Sequence, residues 1–399
     1  MRVVIPLEYR FDRTPDGAVW TQTVFAYPFW KRYLAIFDQV RVVARIREVP
    51  AVTPEWKRAD GEAVSFAAVP YYVGPWQYLK RMRQIGIAAR EAVGSSDAVI
   101  LRVGSQIAGT MAPIFRRNGR PFGVEVVHDP YDLFAPGAVE HPLRPIFRWW
   151  FTTQLRRQCA AACAAAYVTE HALQRRYPPA RSAFTTHYSS VELGDDAFVS
   201  RPRRFDEGMQ TFTLISVGTL EQLYKGPDLL IEAVNVCVSR GLDIRVLIIG
   251  DGKHRRELEA QAQRLGLSDR ICFLGWVSAG EALRRQLDRA DLFVLPSKQE
   301  GVPRAMLEAM ARALPCIGTT VGGIPELLAA EDMVVPGNVQ ALAQKIIEVL
   351  ESPERMTAQS ARNLNRAKVY KDNILQERRL EFFGRVREKT EAWLGTQTR

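Results

Sequence analysis

Short apolar runs with no polar face constrain this chain more than any other feature. Asp291-Leu292-Phe293-Val294-Leu295 is one of them. A strand that is apolar on both faces is covered on both sides, which is the condition of a strand in a parallel sheet with helices above and below it. The next residues, Pro296 to Val302, read as a polar turn, and a helix follows in which Pro303 suits the first position because its missing N–H would be unpaired there anyway. The free amides of Gly301 and Val302 would then converge with the first helical turn. Unpaired N–H groups and the helix dipole favour an anion at such a point, so a phosphate or electron-rich sugar hydroxyls could sit there. Glu300 lies at the mouth. Glu308 lies in an otherwise apolar helix, where a buried carboxylate needs a partner and sugar hydroxyls are natural ones. The plainer reading makes Glu300 a capping carboxylate and Glu308 a helix surface residue.

The same unit repeats along the chain. Arg2 to Leu7 reads as a buried strand, followed by a turn containing Asp16 and Gly17, a helix from Trp20 to Phe37 and a strand from Val40 to Ala44. Asp16 and Gly17 are candidates for an acceptor or phosphate site at the ligand edge of an open α/β sheet, or for a plain surface turn. Further on come strands over 63–69, 97–103 and 122–127, with helices over 76–93 and 106–117 between them. Strand and helix in this rhythm imply a parallel, doubly wound sheet. His128 directly follows the third of these strands, at the sheet's carboxyl edge, where a catalytic role competes with a structural one. Residues 191–210 look like the crossing to a second unit. That unit opens with Thr211 to Val217, a turn at Gly218 and Thr219, and Lys225 just before a helix at Pro227, which again sets a cation beside free amides. Gly250-Asp251-Gly252, Gly275-Trp276 and the turn Gly322-Gly323 end later strands. Arg362 to Lys371 reads as a solvated basic face.

With 399 residues, two units of ordinary size are expected. The five cysteines show no paired metal spacing and suggest reduced thiols. No run approaches the roughly 18 apolar residues of a spanning helix, and Met1 to Leu7 has too short an apolar core for a signal peptide, so a cytoplasmic protein is expected. The net charge of +10 is concentrated in residues 1–200, which hold 25 Lys and Arg against 18 Asp and Glu. Such an excess favours anionic partners. From His141 to Arg157, Arg144, Arg148, Arg156 and Arg157 accompany Phe147, Trp149, Trp150 and Phe151, which fits either an anionic membrane surface or an ordinary amphipathic helix. No nucleic-acid motif is present, so nucleic acid is not expected as a partner.

Taken in order, Ser216-Val217-Gly218, Lys225-Gly226, Gly250-Asp251-Gly252, Asp291 to Ser297, Glu300-Gly301-Val302-Pro303 with Leu307-Glu308-Ala309-Met310, and Gly322-Gly323-Ile324-Pro325-Glu326 resemble the nucleotide-sugar half of the family-4 retaining glycosyltransferases. The resemblance covers about residues 211–330 and implies an α/β GT-B fold, two Rossmann-like doubly wound domains facing across a cleft. It implies an acceptor-binding domain over 1–200, a nucleotide-sugar domain over 201–375, and a C-terminal helix over 376–399 packing back on the first. It further implies a UDP- or GDP-sugar donor, no bound cofactor and no metal, with a glycan or lipid-linked acceptor reached in the cytoplasm or at the inner face of the membrane. By the same resemblance Lys225 clamps the diphosphate and Glu308 bonds the ribose. Glu300 with the Gly301 and Val302 amides faces the transferred sugar, and His128 faces it from the opposite domain; Gly218, Thr219, Gly250, Trp276, Gly322 and Gly323 complete the donor site. Thr219 stands where the family usually has an arginine. An epimerase of the same fold, or a binding protein for sugar nucleotides or nucleic acid, are the alternatives.

Overall fold

The computed structural model describes residues 1–135 and 141–397, so the last two residues of the expected helix 376–399 lie outside the described residues. The strands of the first half are β1 (Arg2–Arg13), β2 (Val19–Thr21), β3 (Gln39–Glu48), β4 (Lys57–Arg58), β5 (Val64–Val69), β6 (Ala98–Val103), β7 (Gly123–Val126), β8 (Ala164–Tyr167) and β9 (Phe184–His187). Those of the second half are β10 (Thr211–Val217), β11 (Asp243–Ile249), β12 (Ile271–Gly275), β13 (Leu292–Leu295), β14 (Cys316–Thr319) and β15 (Met333–Val334). The first sheet runs in the order β5-β3-β1-β6-β7-β8-β9 with every pairing parallel, and β2 and β4 add an antiparallel flap to the far end of β1. The second runs β12-β11-β10-β13-β14-β15, also parallel throughout. Strand order therefore reverses at β1/β6 and at β10/β13, and a crevice for ligands opens at the carboxyl end of each reversal.

The apolar runs follow from this arrangement. On β13, Phe293 and Leu295 enter one core cluster while Leu292 and Val294 enter another, so neither face meets water. On β1, Val3 and Ile5 point to one face and Val4 to the other. In the first half the helices are α1 (Tyr27–Lys31), α2 (Gly74–Glu91), α3 (Gln106–Arg117), α4 (Pro130–Leu133), α5 (Arg144–Cys159) and α6 (Ala172–Arg176). The remainder are α7 (Pro227–Ser239), α8 (Arg255–Arg264), α9 (Glu281–Asp288), α10 (Arg304–Ala311), α11 (Val339–Leu350), α12 (Pro353–Lys368) and α13 (Asp372–Gln397). One face of the first sheet is covered by α2, α3 and α5; the other is covered by α1 and by α13, which returns from the second half. Gly123 admits that return, because a Cβ there would stand 2.5 Å from Val386 and 3.0 Å from Phe382. Phe383 stacks on Tyr33 with ring centroids 4.4 Å apart.

Several expectations are corrected. Residues 20–37 are not one helix: Trp20 lies in β2, paired with Asp12 of β1, and the helix shrinks to α1. Gly17, at φ 84, turns the chain back on itself, and Thr21 and Thr23 bond each other and the local backbone instead of a helix. Asp16 and Gly17 are consequently the exposed tip of a hairpin and not a strand-to-helix junction. Pro303 is the N-cap of α10, one position earlier than expected. The stretch from Arg362 to Lys371 is not a solvated face, since Leu364, Ala367 and Tyr370 are buried, Arg362 pairs with Glu331 and Asp332, and Arg366 with Glu170.

Under α13 lies a charged network in the core. The Glu125 carboxylate of β7 accepts hydrogen bonds from Arg102 at 2.9 Å, Tyr33 at 2.8 Å and Tyr188 at 2.7 Å. Burial pushes its pKa up, but Arg102 and the two hydroxyls outweigh burial and hold it below the usual carboxylate range. Its stabilising contribution is therefore present above the unfolded carboxyl pKa of about 4.3 and is lost as pH falls through the lower folded value. Glu125→Gln, which strands a buried guanidinium, should cost about 3 kcal/mol in urea unfolding, and a loss below about 1 kcal/mol would contradict the charged pairing.

Candidate functional site

Two loops leave the second sheet at its reversal point. The loop after β10 begins at Gly218, whose N–H bonds the Ile249 carbonyl at 2.9 Å. Beneath it, Gly250 and Gly252 turn with φ 139 and 154, and a Cβ on either would collide with the backbone from Gly218 to Glu221. The Gly250-Asp251-Gly252 turn is thus a pedestal for the first loop. Thr219 is engaged locally, its hydroxyl accepting from the Glu221 N–H at 3.1 Å. Farther along, Gly226 takes φ 72, and a Cβ there would stand 2.3 Å from the Pro296 carbonyl oxygen. Only glycine lets the two loops touch, and the Lys298 N–H fastens them to the Tyr224 carbonyl at 2.7 Å.

This contact brings Lys225 to Glu300. The ammonium lies 2.5 Å from Glu300 Oε1, and the fully buried Ser297 hydroxyl donates to the same oxygen at 2.7 Å. Ser297 is held in turn through its carbonyl, which accepts from Thr319 at 2.6 Å. Behind Glu300, Gly322 at φ 54 leaves no room for a Cβ, which would stand 2.0 Å from the Glu300 carbonyl oxygen, and the Gly323 N–H donates to the Gly301 carbonyl at 2.7 Å. The start of α10 has no side-chain cap, and among the described residues no hydrogen bond is made by the Gly301 or Val302 amides. Glu308 is half-buried one turn on. No donor reaches its carboxylate among the described residues, and burial raises its pKa against the pull of Arg304 and Arg284. Trp276 stands 77% exposed just past β12.

The first sheet meets this loop at its carboxyl edge. A Cβ on Gly301 would lie 3.3 Å from Val168 and 3.7 Å from the Val127 carbonyl, and one on Gly323 would lie 3.2 Å from Thr169. His128 is the next residue after Val127. Its ring covers Gly104, so closely that a Cβ on Gly104 would overlap it, and it faces a pocket of about 110 Å³ shared with Glu8, Gln106, Phe134 and Phe151. Burial lowers its pKa, with Asp129 opposing and Arg102 adding to the effect, so the imidazole is neutral at neutral pH. Asp129 itself is committed to Arg176, Tyr177 and the Tyr131 N–H. Glu8 is committed to the Gln106 N–H at 2.9 Å and to the Tyr72 hydroxyl.

Lys225, Glu300, Gly301, Val302, Gly218, Gly322 and Gly323 thus form one cluster, with His128 beside it and Gly250 below. Asp16 and Gly17 do not join it: among the described residues nothing connects that hairpin tip to the second sheet by hydrogen bond or ion pair. Sequence reasoning missed Ser297, Gly226 as the spacer, and Glu326. The Glu326 carboxylate accepts the N–H groups of Glu170, His171 and Ala172 at 2.6, 2.9 and 2.7 Å, and Arg366 bridges its carbonyl and the Glu170 carboxylate, each at 2.8 Å. A glutamate three residues past a glycine turn was visible; its partner on another sheet was not. Among the described residues no group of three or more His, Cys, Asp or Glu is arranged to hold a metal ion.

Comparison with known proteins bears on the same residues. The family model "Glycosyl transferases group 1" matches residues 201–366. Protein CapJ of Staphylococcus aureus is 25% identical over 81% of this chain and 80% of its own length. The Escherichia coli protein named "Putative colanic acid biosynthesis glycosyltransferase WcaL" is 34% identical over 39% of this chain, a match spanning only 40% of that relative. Among solved structures, HepE of Anabaena in complex with UDP superposes with a TM-score of 0.64 at 16% identity, covering 96% of this chain and 99% of that one. Residues 201–366 are a group 1 glycosyltransferase domain, and the chain that carries them has the GT-B fold.

Proposed function

We propose that this chain is a retaining, metal-independent glycosyltransferase that moves a sugar from a UDP- or GDP-sugar to a hydroxyl of a glycan or lipid-linked acceptor in cell-surface polysaccharide biosynthesis. The observation that carries the reading is the Lys225–Glu300 pair beside the uncapped start of α10. Cation, carboxylate and free amides side by side suit a ligand with a diphosphate next to a polyhydroxylated ring. UDP in HepE and the biosynthetic role in the name of WcaL support the same assignment.

On this reading the diphosphate takes Lys225 over from Glu300 and lies against the Gly218 and Thr219 backbone. Glu308, whose carboxylate takes no hydrogen bond among the described residues, accepts from the ribose hydroxyls, and Trp276 borders the base. The sugar rests on Glu300, the Gly301 and Val302 amides and the Gly322-Gly323 turn, with neutral His128 opposite. As the bond to the sugar breaks, negative charge grows on the leaving phosphate. Lys225 and the amides at the α10 start stabilise that charge without reorganising. An acceptor hydroxyl attacking from the departing side retains the configuration and passes its proton to the leaving phosphate. Exposed Trp149 and Trp150 among the α5 arginines support an acceptor met at the inner face of an anionic membrane. No helix among the described residues is long and apolar enough to cross a membrane.

UDP or GDP at a hundred times its dissociation constant should stabilise the chain by about 2.7 kcal/mol in thermal unfolding, and no response to any nucleoside diphosphate would contradict the reading. Lys225→Ala and Glu300→Ala, shown to be folded, should each lose about 100-fold or more in donor turnover, and full turnover in either would sink it. The His128 ring protons should titrate below the ordinary value of about 6.5 by NMR, and titration at or above that value would contradict a neutral imidazole at the site.

A further inference from the structure

The outward face of the α2–α3–α5 layer carries bulky apolar side chains among its cations, where a water-facing surface is ordinarily polar. At about 100° per residue, Trp76, Leu79, Lys80, Arg83, Ile87 and Arg90 form one stripe of α2, diametrically opposite the core residue Ile85. Trp76 is 71% and Leu79 56% exposed. On α5, Ile146, Trp149, Trp150 and Arg157 make the corresponding stripe opposite the buried Leu155, with Trp149 65% exposed. Bulky apolar side chains at the positions farthest from the core gain nothing from the fold itself. Both helices belong to the layer on one face of the first sheet, with α3 between them: α2 packs on α3, and Gly109 of α3 lies against Gln154 of α5.

Charge selects the occupant. The three helices carry four, two and four Arg or Lys respectively, against Glu91 as their sole carboxylate. Two copies of a face so uniformly positive repel each other, whereas an anionic lipid surface attracts it and offers hydrocarbon to the tryptophans. Because helices in this layer run antiparallel to the strands, the first turns of α2 and α5 lie at the carboxyl edge. The pocket at the start of α3, lined by Gln106, His128 and Phe134, reaches α5 at Phe151 and Gln154.

We propose that α2 and α5 together form a two-point docking surface for an anionic bilayer. Trp76 and Leu79 seat in the interface beside Ile146, Trp149 and Trp150, with the His128 pocket bordering α5. The inference deepens the membrane-surface acceptor named under the proposed function and rests on that reading for the pocket's occupant, though not for lipid binding itself.

The test uses the full chain with phosphatidylcholine vesicles and with vesicles of phosphatidylcholine and phosphatidylglycerol in equal parts, read by co-sedimentation and tryptophan fluorescence. Binding is expected to the phosphatidylglycerol vesicles and to weaken with salt. The pairs Trp76→Ser/Leu79→Ser and Trp149→Ser/Trp150→Ser should each weaken it about tenfold. The pair Lys80→Glu/Arg83→Glu should lose more on anionic than on neutral vesicles. All these side chains point outward, so thermal stability and UDP-induced stabilisation should be unchanged, and loss of the UDP response in the wild type would count against the nucleotide-sugar reading alone. Absence of wild-type binding to phosphatidylglycerol vesicles, or an α2 pair that binds as wild type, would overturn the two-point surface. So would self-association abolished by these substitutions in a chain that ignores vesicles.

Discussion

The ion pair between Lys225 and Glu300 is the interaction on which the rest of the molecule is arranged. Neither charge would be stable alone, because the Glu300 side chain is nearly enclosed and the Lys225 side chain mostly so. Each is delivered by a loop at the reversal point of a parallel sheet, the one place where two neighbouring carboxyl-edge loops diverge and leave a crevice. Three glycines bring the backbones close enough. Gly226 lets the first loop touch Pro296, Gly322 lets the third touch Glu300, and Gly250 lifts the first from below. In this crevice the cation is engaged by a carboxylate, beside the Gly301 and Val302 amides, which make no hydrogen bond among the described residues.

The first sheet closes the crevice with backbone and small contacts more than with charge. Val127 and Val168, at the ends of β7 and β8, meet the bare Cα of Gly301. The charged contact is set back from the cleft, where Glu326 gathers three amides of the segment entering α6 and Arg366 ties Glu326 to Glu170. Glu326 stands three residues beyond Gly323, so the turn behind Glu300 and the approach of the first sheet are mechanically one element. His128 directly follows Val127 in the chain. It is held over Gly104 in a half-apolar pocket, which keeps its imidazole neutral.

The architecture was legible because burial on two faces leaves a local trace. Thr211–Val217 and Gln106–Arg117 are found with the bounds that composition alone suggests, and Leu292–Leu295 within one residue. What was not legible depends on partners remote in sequence. The helix expected over 20–37 gives way to β2 because Trp20 pairs with Asp12 across a turn at Gly17, and a helix-compatible composition carries no sign of that pairing. Arg366 reads as a solvated cation until Glu170, 196 positions away, is brought beside it. In the site, the anion-attracting start of α10 follows from local physics, whereas the separate duties of Glu300 and Glu308 came from family resemblance. That Lys225 and Glu300 bond each other in the free protein could be learned only from the fold.

The central claim is that Lys225 is held by Glu300 in waiting for a diphosphate, and calorimetric titration of UDP into the wild type, Lys225→Met and Glu300→Gln tests it most directly. Lys225→Met should weaken UDP about tenfold or more, since a charge-assisted contact is lost, while Glu300→Gln should leave UDP binding unchanged or tighter because the competitor for the ammonium is gone. Equal weakening by both substitutions would contradict the claim and make the pair a structural strut.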